Sequence, residues 1–195
     1  MSHRKNIVQG GVFVLLIVAG VLLRIALQGT PNLAPVAAMA LFAGYYFGSF
    51  GVAIVVPLAI MTISDAFIGG YESSVLVPVY GAMAFPVLLR PILRRVVRRA
   101  PRRLREALAS FAAIAACSLA GSLVFFVVSN LGVWWTWHPH TLAELWQCMA
   151  QAIPFFRYTL AGDQLFACGL FGGHMLATAW LPAPLGERTT AGSSC

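Results

Sequence analysis

Long apolar segments separated by short polar connections make up most of this chain of 195 residues. A segment that crosses lipid must satisfy its own backbone hydrogen bonds, which favours helices. About 20 residues span a bilayer, and the first, fifth and sixth segments reach that length, whereas the second and fourth are short enough to be buried partners or partial spans. The six segments are approximately Ile7–Leu27, Pro35–Phe47, Gly51–Ile68, Val75–Leu89, Ala107–Ser129 and Tyr158–Leu181.

This pattern predicts an all-α polytopic membrane protein with six transmembrane helices. Residues 1–181 would form a single helical domain, and 182–195 a short cytoplasmic tail. The composition agrees, because 59% of the residues are hydrophobic and only 10% are charged, against about 25% charged in a soluble domain. The first apolar run is longer than the core of a signal peptide, so we interpret it as a retained span.

Basic residues predict the orientation. Eight of the 13 Lys and Arg residues lie in Arg90–Arg105, and Arg4 and Lys5 precede the first segment. With six spans both regions fall on one side, and cytoplasmic loops are rich in Lys and Arg. We therefore expect a multi-pass protein with both termini in the cytoplasm. The net charge of +7 belongs mainly to one loop and is not interpreted as nucleic-acid binding.

The arginines of that loop recur in pairs every four residues, with aliphatic residues between them. The pattern is typical of a basic helix lying on the membrane surface, here interrupted near Pro101. Contact with anionic headgroups is the simpler interpretation, and a docking surface for a cytoplasmic partner is the alternative. The arginines in question are Arg94, Arg95, Arg98, Arg99, Arg102 and Arg103.

The longest outer connection, Asn130–Arg157, contains three tryptophans within 134–137. Interfacial tryptophan belts are common in membrane proteins, and a ligand platform is the alternative for this cluster. Thr141 and Glu144 have the spacing of a helix-capping box. We therefore predict an interfacial helix over the outer mouth of the bundle, ending at Pro154.

Three charged residues fall at similar depths in this topology. Arg24 and Asp65 each lie three residues before the outer end of a segment, and Asp163 lies about five after the start of another. All three would sit roughly 4–8 Å below the outer boundary. Ionisable residues within apolar sequence are candidate functional sites, so we predict an outward-opening polar pocket in which Arg24 neutralises one carboxylate. In the alternative, Arg24 reaches the headgroups and the carboxylates lie in a wet vestibule.

Small residues at every fourth position predict close helix packing. One such stripe is Ala40, Gly44 and Gly48, and another includes Gly162, Gly169 and Gly173. Both stripes lie in segments that we expect to surround the polar pocket.

We identify no motif for catalysis, for a metal or for a cofactor. His138 and His140 resemble half of a metal site, but no nearby third ligand stands out. Ser64 lacks an assigned histidine base, which makes an intramembrane hydrolase a weak candidate. We therefore expect a protein that is not an enzyme, with a membrane-embedded enzyme or a structural or assembly subunit as alternatives.

Several short motifs resemble an uncharacterised family of small bacterial membrane proteins over about Arg24 to Gly173. That family is in turn similar to the substrate-binding S components of ECF-type vitamin transporters, in size, in its six spans and in its outward polar mouth. The motifs are Pro31–Pro35, Leu41–Gly44, Val56-Pro57, Ile63–Asp65, Val79-Tyr80, Val128–Asn130 with Trp134, Ile153–Phe156 and Gly162-Asp163.

This resemblance implies a six-helix, S-component-like bundle in a bacterial cytoplasmic (inner) membrane that captures a small nutrient from outside. It also implies docking on an energy-coupling membrane subunit with cytoplasmic ATPases. S components often carry A-x-x-x-A on the first helix, whereas here Ala19 is followed by Leu23, and a transporter that works alone is the alternative. From the charge pattern, the tryptophan cluster and the resemblance together, the candidate substrate-binding residues are Arg24, Asn32, Asp65, Tyr80, Asn130, Trp134 and Asp163.

Overall fold

A computed structural model describes residues 2–30, 33–70, 72–97 and 104–180 as an all-helical protein. The fourth helix continues from α4 through a 3-10 segment into α5, so the described chain forms six helical rods. The elements are α1 (Ser2–Ala26), α2 (Val36–Tyr46), α3 (Phe50–Ile68), α4 (Ser73–Ala84), the 3-10 segment (Phe85–Leu89), α5 (Arg90–Val96), α6 (Leu104–Trp137) and α7 (Leu142–Trp180).

Four of the six rods are long and apolar enough to cross a membrane: Asn6–Ala26, Phe50–Ile68, Ser73–Val96 and Leu104–Trp137. The prediction of an all-α, multi-pass membrane protein is confirmed at this level. Helix α7 is not in that set, and its second half carries polar residues that include Asp163 and His174. With 11 residues, α2 is only about 17 Å long.

The short helix α2 is the centre of the bundle. Ten of its 11 residues are buried, and it contacts every other rod. A helix that is apolar on all sides belongs in a core, so the short second segment is a buried partner of the longer helices, as one of the two sequence interpretations had it.

Side-chain contacts show how the rods run. In α1, Phe13 packs on Phe47 at the end of α2, whereas Arg24 reaches Asp65 near the end of α3. Helices α1 and α2 are therefore antiparallel, and α1 and α3 are parallel. We call the end that holds the C-termini of α1, α3 and α6 the outer end, following the orientation predicted from the basic residues.

The prediction of a separate interfacial helix ending at Pro154 is wrong. Helix α6 extends to Trp137, and α7 runs without a break from Leu142 through Pro154 to Trp180. Proline lacks the N–H that would reach the Ala150 carbonyl, and its ring crowds that carbonyl, but membrane helices tolerate proline when the surroundings compensate for the freed backbone groups. The Thr141 hydroxyl does accept the Glu144 N–H at 3.3 Å, so this half of the predicted cap is present.

The first part of the arginine run also differs from its prediction. Residues 90–96 continue the fourth rod and do not begin a separate surface helix. Arg90 donates to the Gly48 carbonyl at 2.6 Å, and Arg94 donates to the carbonyls of Tyr45, at 3.1 Å, and Phe47. The Tyr45 and Phe47 carbonyls lie at the end of α2 and lack helical partners, so Arg94 caps the central helix, and Arg90 binds the chain just beyond it. Arg98, Arg99, Arg102 and Arg103 lie outside the described residues.

Small residues allow close helix contacts, but only some of the predicted positions are used. A methyl group on Gly44 would lie 3.0 Å from the Val87 carbonyl oxygen, and one on Gly162 would lie 2.6 Å from Leu33. Gly48, Gly169 and Gly173 instead have no neighbouring atom within 4 Å of that position. The predicted stripes are thus confirmed at one glycine each and are wrong at the other three.

Candidate functional site

Arg24 and Asp65 form a buried ion pair between α1 and α3. The Arg24 Nη1 group donates to Asp65 Oδ1 and to the Ser64 hydroxyl oxygen. Both charged side chains are 8% exposed. The sequence prediction that Arg24 neutralises a carboxylate is confirmed for Asp65, and the alternative in which Arg24 reaches the headgroups does not describe this geometry.

Ser64 and Tyr80 hold this pair from two sides. The fully buried Ser64 hydroxyl donates to the Ile60 carbonyl at 2.6 Å, which leaves its oxygen facing Arg24. The Tyr80 hydroxyl donates to Asp65 Oδ2 at 2.7 Å. Each carboxylate oxygen therefore has a donor, as a buried polar network requires. We call Arg24, Ser64, Asp65 and Tyr80 the Arg24 cluster.

A cavity of about 420 Å³ lies at the outer end of the bundle, next to the Arg24 cluster. Arg24 is its charged lining residue, and Gln28 and Thr30 add polar groups from the connection after α1. Met61, Met83 and Phe125 belong to the apolar part of its wall. The volume falls in the range of about 300–1,000 Å³ of small-molecule sites, which combine an apolar wall with a few polar groups.

A second cavity, of about 530 Å³, lies at the inner half between α1 and the start of α3. Phe13, Phe47 and Val55 contribute to its wall, and none of the lining residues that the structure describes is charged. We regard the smaller outer cavity as the candidate site, because a buried ion pair borders it.

Asp163 does not join the Arg24 cluster. It lies between α6 and α7, is 3% exposed, and its Oδ2 atom shares a hydrogen bond of 2.6 Å with the Ser122 hydroxyl. It is not among the residues that line the outer cavity. The predicted convergence of three charges is therefore wrong for Asp163. The depth count assumed a helix beginning near Tyr158, whereas α7 begins at Leu142.

The other predicted residues lie elsewhere. Asn130 donates to the Phe126 carbonyl of its own helix at 2.6 Å. Trp134 packs against His140 with ring centroids 5.5 Å apart, and its buried indole N–H has no partner among the described residues. Neither residue lines the outer cavity. Asn32 lies outside the described residues.

Sequence reasoning missed Ser122 and the lining residues Gln28 and Thr30. Serine is common in membrane helices, so the sequence around Ser122 did not indicate a functional role. Its contact with Asp163 is evident only from the packing of α6 against α7. Gln28 and Thr30 follow Arg24 directly in a short polar connection, and that proximity was the available clue. The role of Tyr80 in holding Asp65 was not predicted either, although the family motif marked the position.

These observations define a helical membrane protein with a buried ion pair beside an outer cavity. The sequence model of a family of unknown function, DUF6580, matches residues 4–184, and the chain belongs to this family. The comparison with curated proteins and the comparison with solved structures each return no significant match.

Proposed function

We propose that this protein is a transport protein that binds a small nutrient from the outer side of a bacterial inner membrane. The observation that carries the proposal is the 420 Å³ cavity bordered by Arg24. The guanidinium is held by Asp65 and Ser64 before any ligand arrives. Such preorganisation lowers the entropic cost of binding.

The cavity walls suit a ligand with one polar end and an apolar body. Arg24, Gln28 and Thr30 offer hydrogen-bond donors, which favours a ligand that carries a neutral acceptor group such as a carbonyl. Met61, Met83 and Phe125 would contact the apolar part, and methionine side chains adapt to irregular shapes. Because Asp65 already neutralises Arg24, a ligand with little net charge fits this site best.

The coupling part of the proposal comes from the resemblance to S components. The partner would be an energy-coupling membrane subunit with ATPases, bound from the inner side. The basic residues at the inner end, among them Arg95, would face anionic headgroups or this partner. A transporter that works alone, an enzyme and an assembly subunit are the competing functions that the experiments must separate.

The binding test blocks the cavity with one added side chain. Ala34 lines the outer cavity and Ala161 on α7 is exposed, so Ala34→Leu and Ala161→Leu make the same change at a lining and a non-lining position. Mass spectrometry of each variant, mildly extracted from its native membrane, would identify a retained small molecule. We expect the molecule in the wild type and in Ala161→Leu and its loss from Ala34→Leu.

The same preparation addresses the partner. Copurifying ATPase subunits would support coupling, and a retained ligand without them would favour a transporter that works alone. A ligand held equally by Ala34→Leu would overturn the assignment of the cavity. Chemical turnover of the retained molecule by the purified protein would replace transport with an enzymatic function.

A further inference from the structure

Asp163 is a buried carboxyl group that forms no ion pair with any residue that the structure describes. It is 3% exposed at the contact of α6 with α7. Among the described residues, neither salt bridge involves it, since these join Arg24 to Asp65 and His138 to Glu144. An ionised carboxylate without a cation is costly in an apolar interior, and such groups become neutral instead.

The number of hydrogens available around Ser122 also indicates that Asp163 is neutral. The Ser122 oxygen lies 2.6 Å from Asp163 Oδ2 and 3.1 Å from the backbone carbonyl oxygen of Ser118. A serine hydroxyl has one hydrogen to donate. With Asp163 ionised, two acceptors compete for it. With Asp163 protonated, the carboxyl donates to Ser122 and Ser122 donates to the Ser118 carbonyl, so both close contacts are hydrogen bonds.

The described helices packed against Asp163 provide no ion-pair partner that could neutralise it in place of a proton. Helix α7 lies against α6 and α2, and none of their ionisable side chains hydrogen-bonds to Asp163 or forms an ion pair with it in the described structure. These side chains, on α2, α6 and α7, are Tyr45, Tyr46, Arg105, Glu106, Cys117, Glu144, Cys148, Arg157, Tyr158, Cys168 and His174. Arg157 donates to the Tyr158 hydroxyl at 2.9 Å, and His174 makes edge-to-face contacts with Phe42 and Tyr46 of α2.

A second polar group lies one helical turn further inward. The Ser118 side-chain hydroxyl is buried and has no hydrogen-bond partner among the described residues. Residues four apart share a helix face, so Ser118 and Ser122 lie on the same side of α6. A buried polar group without a partner is unusual enough to require an explanation. The position of the Ser118 hydroxyl, next to a carboxyl group that binds a proton, provides one.

We propose that Asp163 is a proton-binding site, with its carboxyl group held protonated in this fold and hydrogen-bonded to Ser122. Release breaks the carboxyl O–H bond, transfers the proton to water and leaves a carboxylate. Water must therefore enter between α6 and α7 before the proton leaves. This site lies beyond the proposed function and does not depend on what occupies the outer cavity.

Infrared spectroscopy with isotope-labelled aspartate tests the proposal directly. The chain contains two aspartates, Asp65 and Asp163, so a carboxyl-¹³C aspartate label separates them from the four glutamates. We expect the full chain in lipid nanodiscs at neutral pH to show one labelled band of a protonated carboxylic acid. Asp163→Asn should abolish this band, and Asp65→Asn should leave it in place.

Two serine variants sharpen the test and serve if Asp163→Asn does not fold. Ser122→Ala removes the acceptor of the carboxyl hydrogen, so the band should persist and shift to higher frequency. Ser118→Ala removes a hydroxyl that has no partner and keeps the backbone carbonyl, so the band should stay where it is.

Three results would overturn the proposal. The first is a wild type with no protonated-aspartate band at neutral pH. The second is a band that survives Asp163→Asn or does not move in Ser122→Ala. The third is loss of the band when Na⁺ replaces a large organic cation at constant pH and ionic strength, which would make Asp163 a sodium ligand.

Discussion

The Arg24–Asp65 ion pair allows a quantitative prediction about stability. The substitution Asp65→Asn keeps the size of the side chain and removes its charge, so the Arg24 guanidinium loses its ion pair with Asp65. Both partners are 8% exposed, so water compensates little. Removing one partner of a buried pair costs roughly 3–5 kcal/mol. The amide oxygen of the new side chain still accepts from Tyr80, so we add no further loss for that bond.

The companion variant is Arg24→Gln, which leaves Asp65 with the Tyr80 hydroxyl alone, and we expect a loss of similar size. The double variant replaces a buried ion pair by two neutral amides, so neither position keeps an uncompensated buried charge. It should therefore be more stable than the two single losses imply. We expect a coupling free energy of about 2–3 kcal/mol, at the upper end of measured pairwise couplings.

The assay is reversible unfolding in mixed micelles with an increasing fraction of denaturing detergent, followed by circular dichroism. The control is Glu144→Gln in the His138–Glu144 pair, whose side chains are 28% and 34% exposed. An exposed pair contributes about 1 kcal/mol or less. If Asp65→Asn costs no more than Glu144→Gln, or if the single effects simply add in the double variant, the reasoning from burial is refuted.

Three further predictions concern packing, capping and topology. Gly132→Ala should destabilise the protein by about 1–3 kcal/mol in the same unfolding assay, because the added methyl group would lie 2.7 Å from the Pro78 ring. Gly169→Ala is the control and should be neutral or stabilising, because no atom lies within 4 Å of its added methyl group. Arg94→Gln removes donors to two carbonyls at the end of α2, so hydrogen exchange should accelerate there and not in α6; unchanged exchange would contradict its capping role. Cysteines placed in the 138–141 turn should react with a membrane-impermeant reagent added to intact cells, and failure to react would reverse the predicted orientation.

Helix-by-helix hydropathy predicted the Arg24–Asp65 contact because the necessary information was local. Each residue lies near the end of its helix, so counting residues placed both at the same depth. The structure agrees because α1 ends at Ala26 and α3 ends at Ile68, close to the predicted bounds. A cation and an anion at one depth in an apolar bundle then gain by pairing.

The same count failed for Asp163 because α7 has no break where the sequence suggested one. A capping pair at Thr141 and a proline at Pro154 are the local signals for the two ends of a short helix, yet α7 continues past Pro154 to Trp180. Tertiary contacts decide whether such a helix ends: Phe156, just after the proline, packs on Phe126 of α6 with ring centroids 4.9 Å apart.

Side-chain partners between helices were the hardest feature to predict. Helices that are apolar on nearly every side give little indication of their rotation, so the sequence alone did not pair Ser122 with Asp163. The glycine–proline contact of Gly132 with Pro78 shows the same difficulty. Neither residue is unusual by itself, and their complementarity appears only when α4 and α6 are in register.

The two aspartates are neutralised in different ways, and this difference limits which part of the bundle can respond to pH. Asp65 has a permanent counter-ion on α1, so its charge is compensated as long as α1 and α3 stay packed. Asp163, under our proposal, is neutralised by a proton, and this proton can dissociate without the separation of any two helices. A change in proton concentration would therefore act on the contact between α6 and α7 and leave the walls of α1 and α3 in place. Since Phe125 of α6 also lines the outer cavity, movement of α6 on deprotonation would reach the proposed ligand through that side chain.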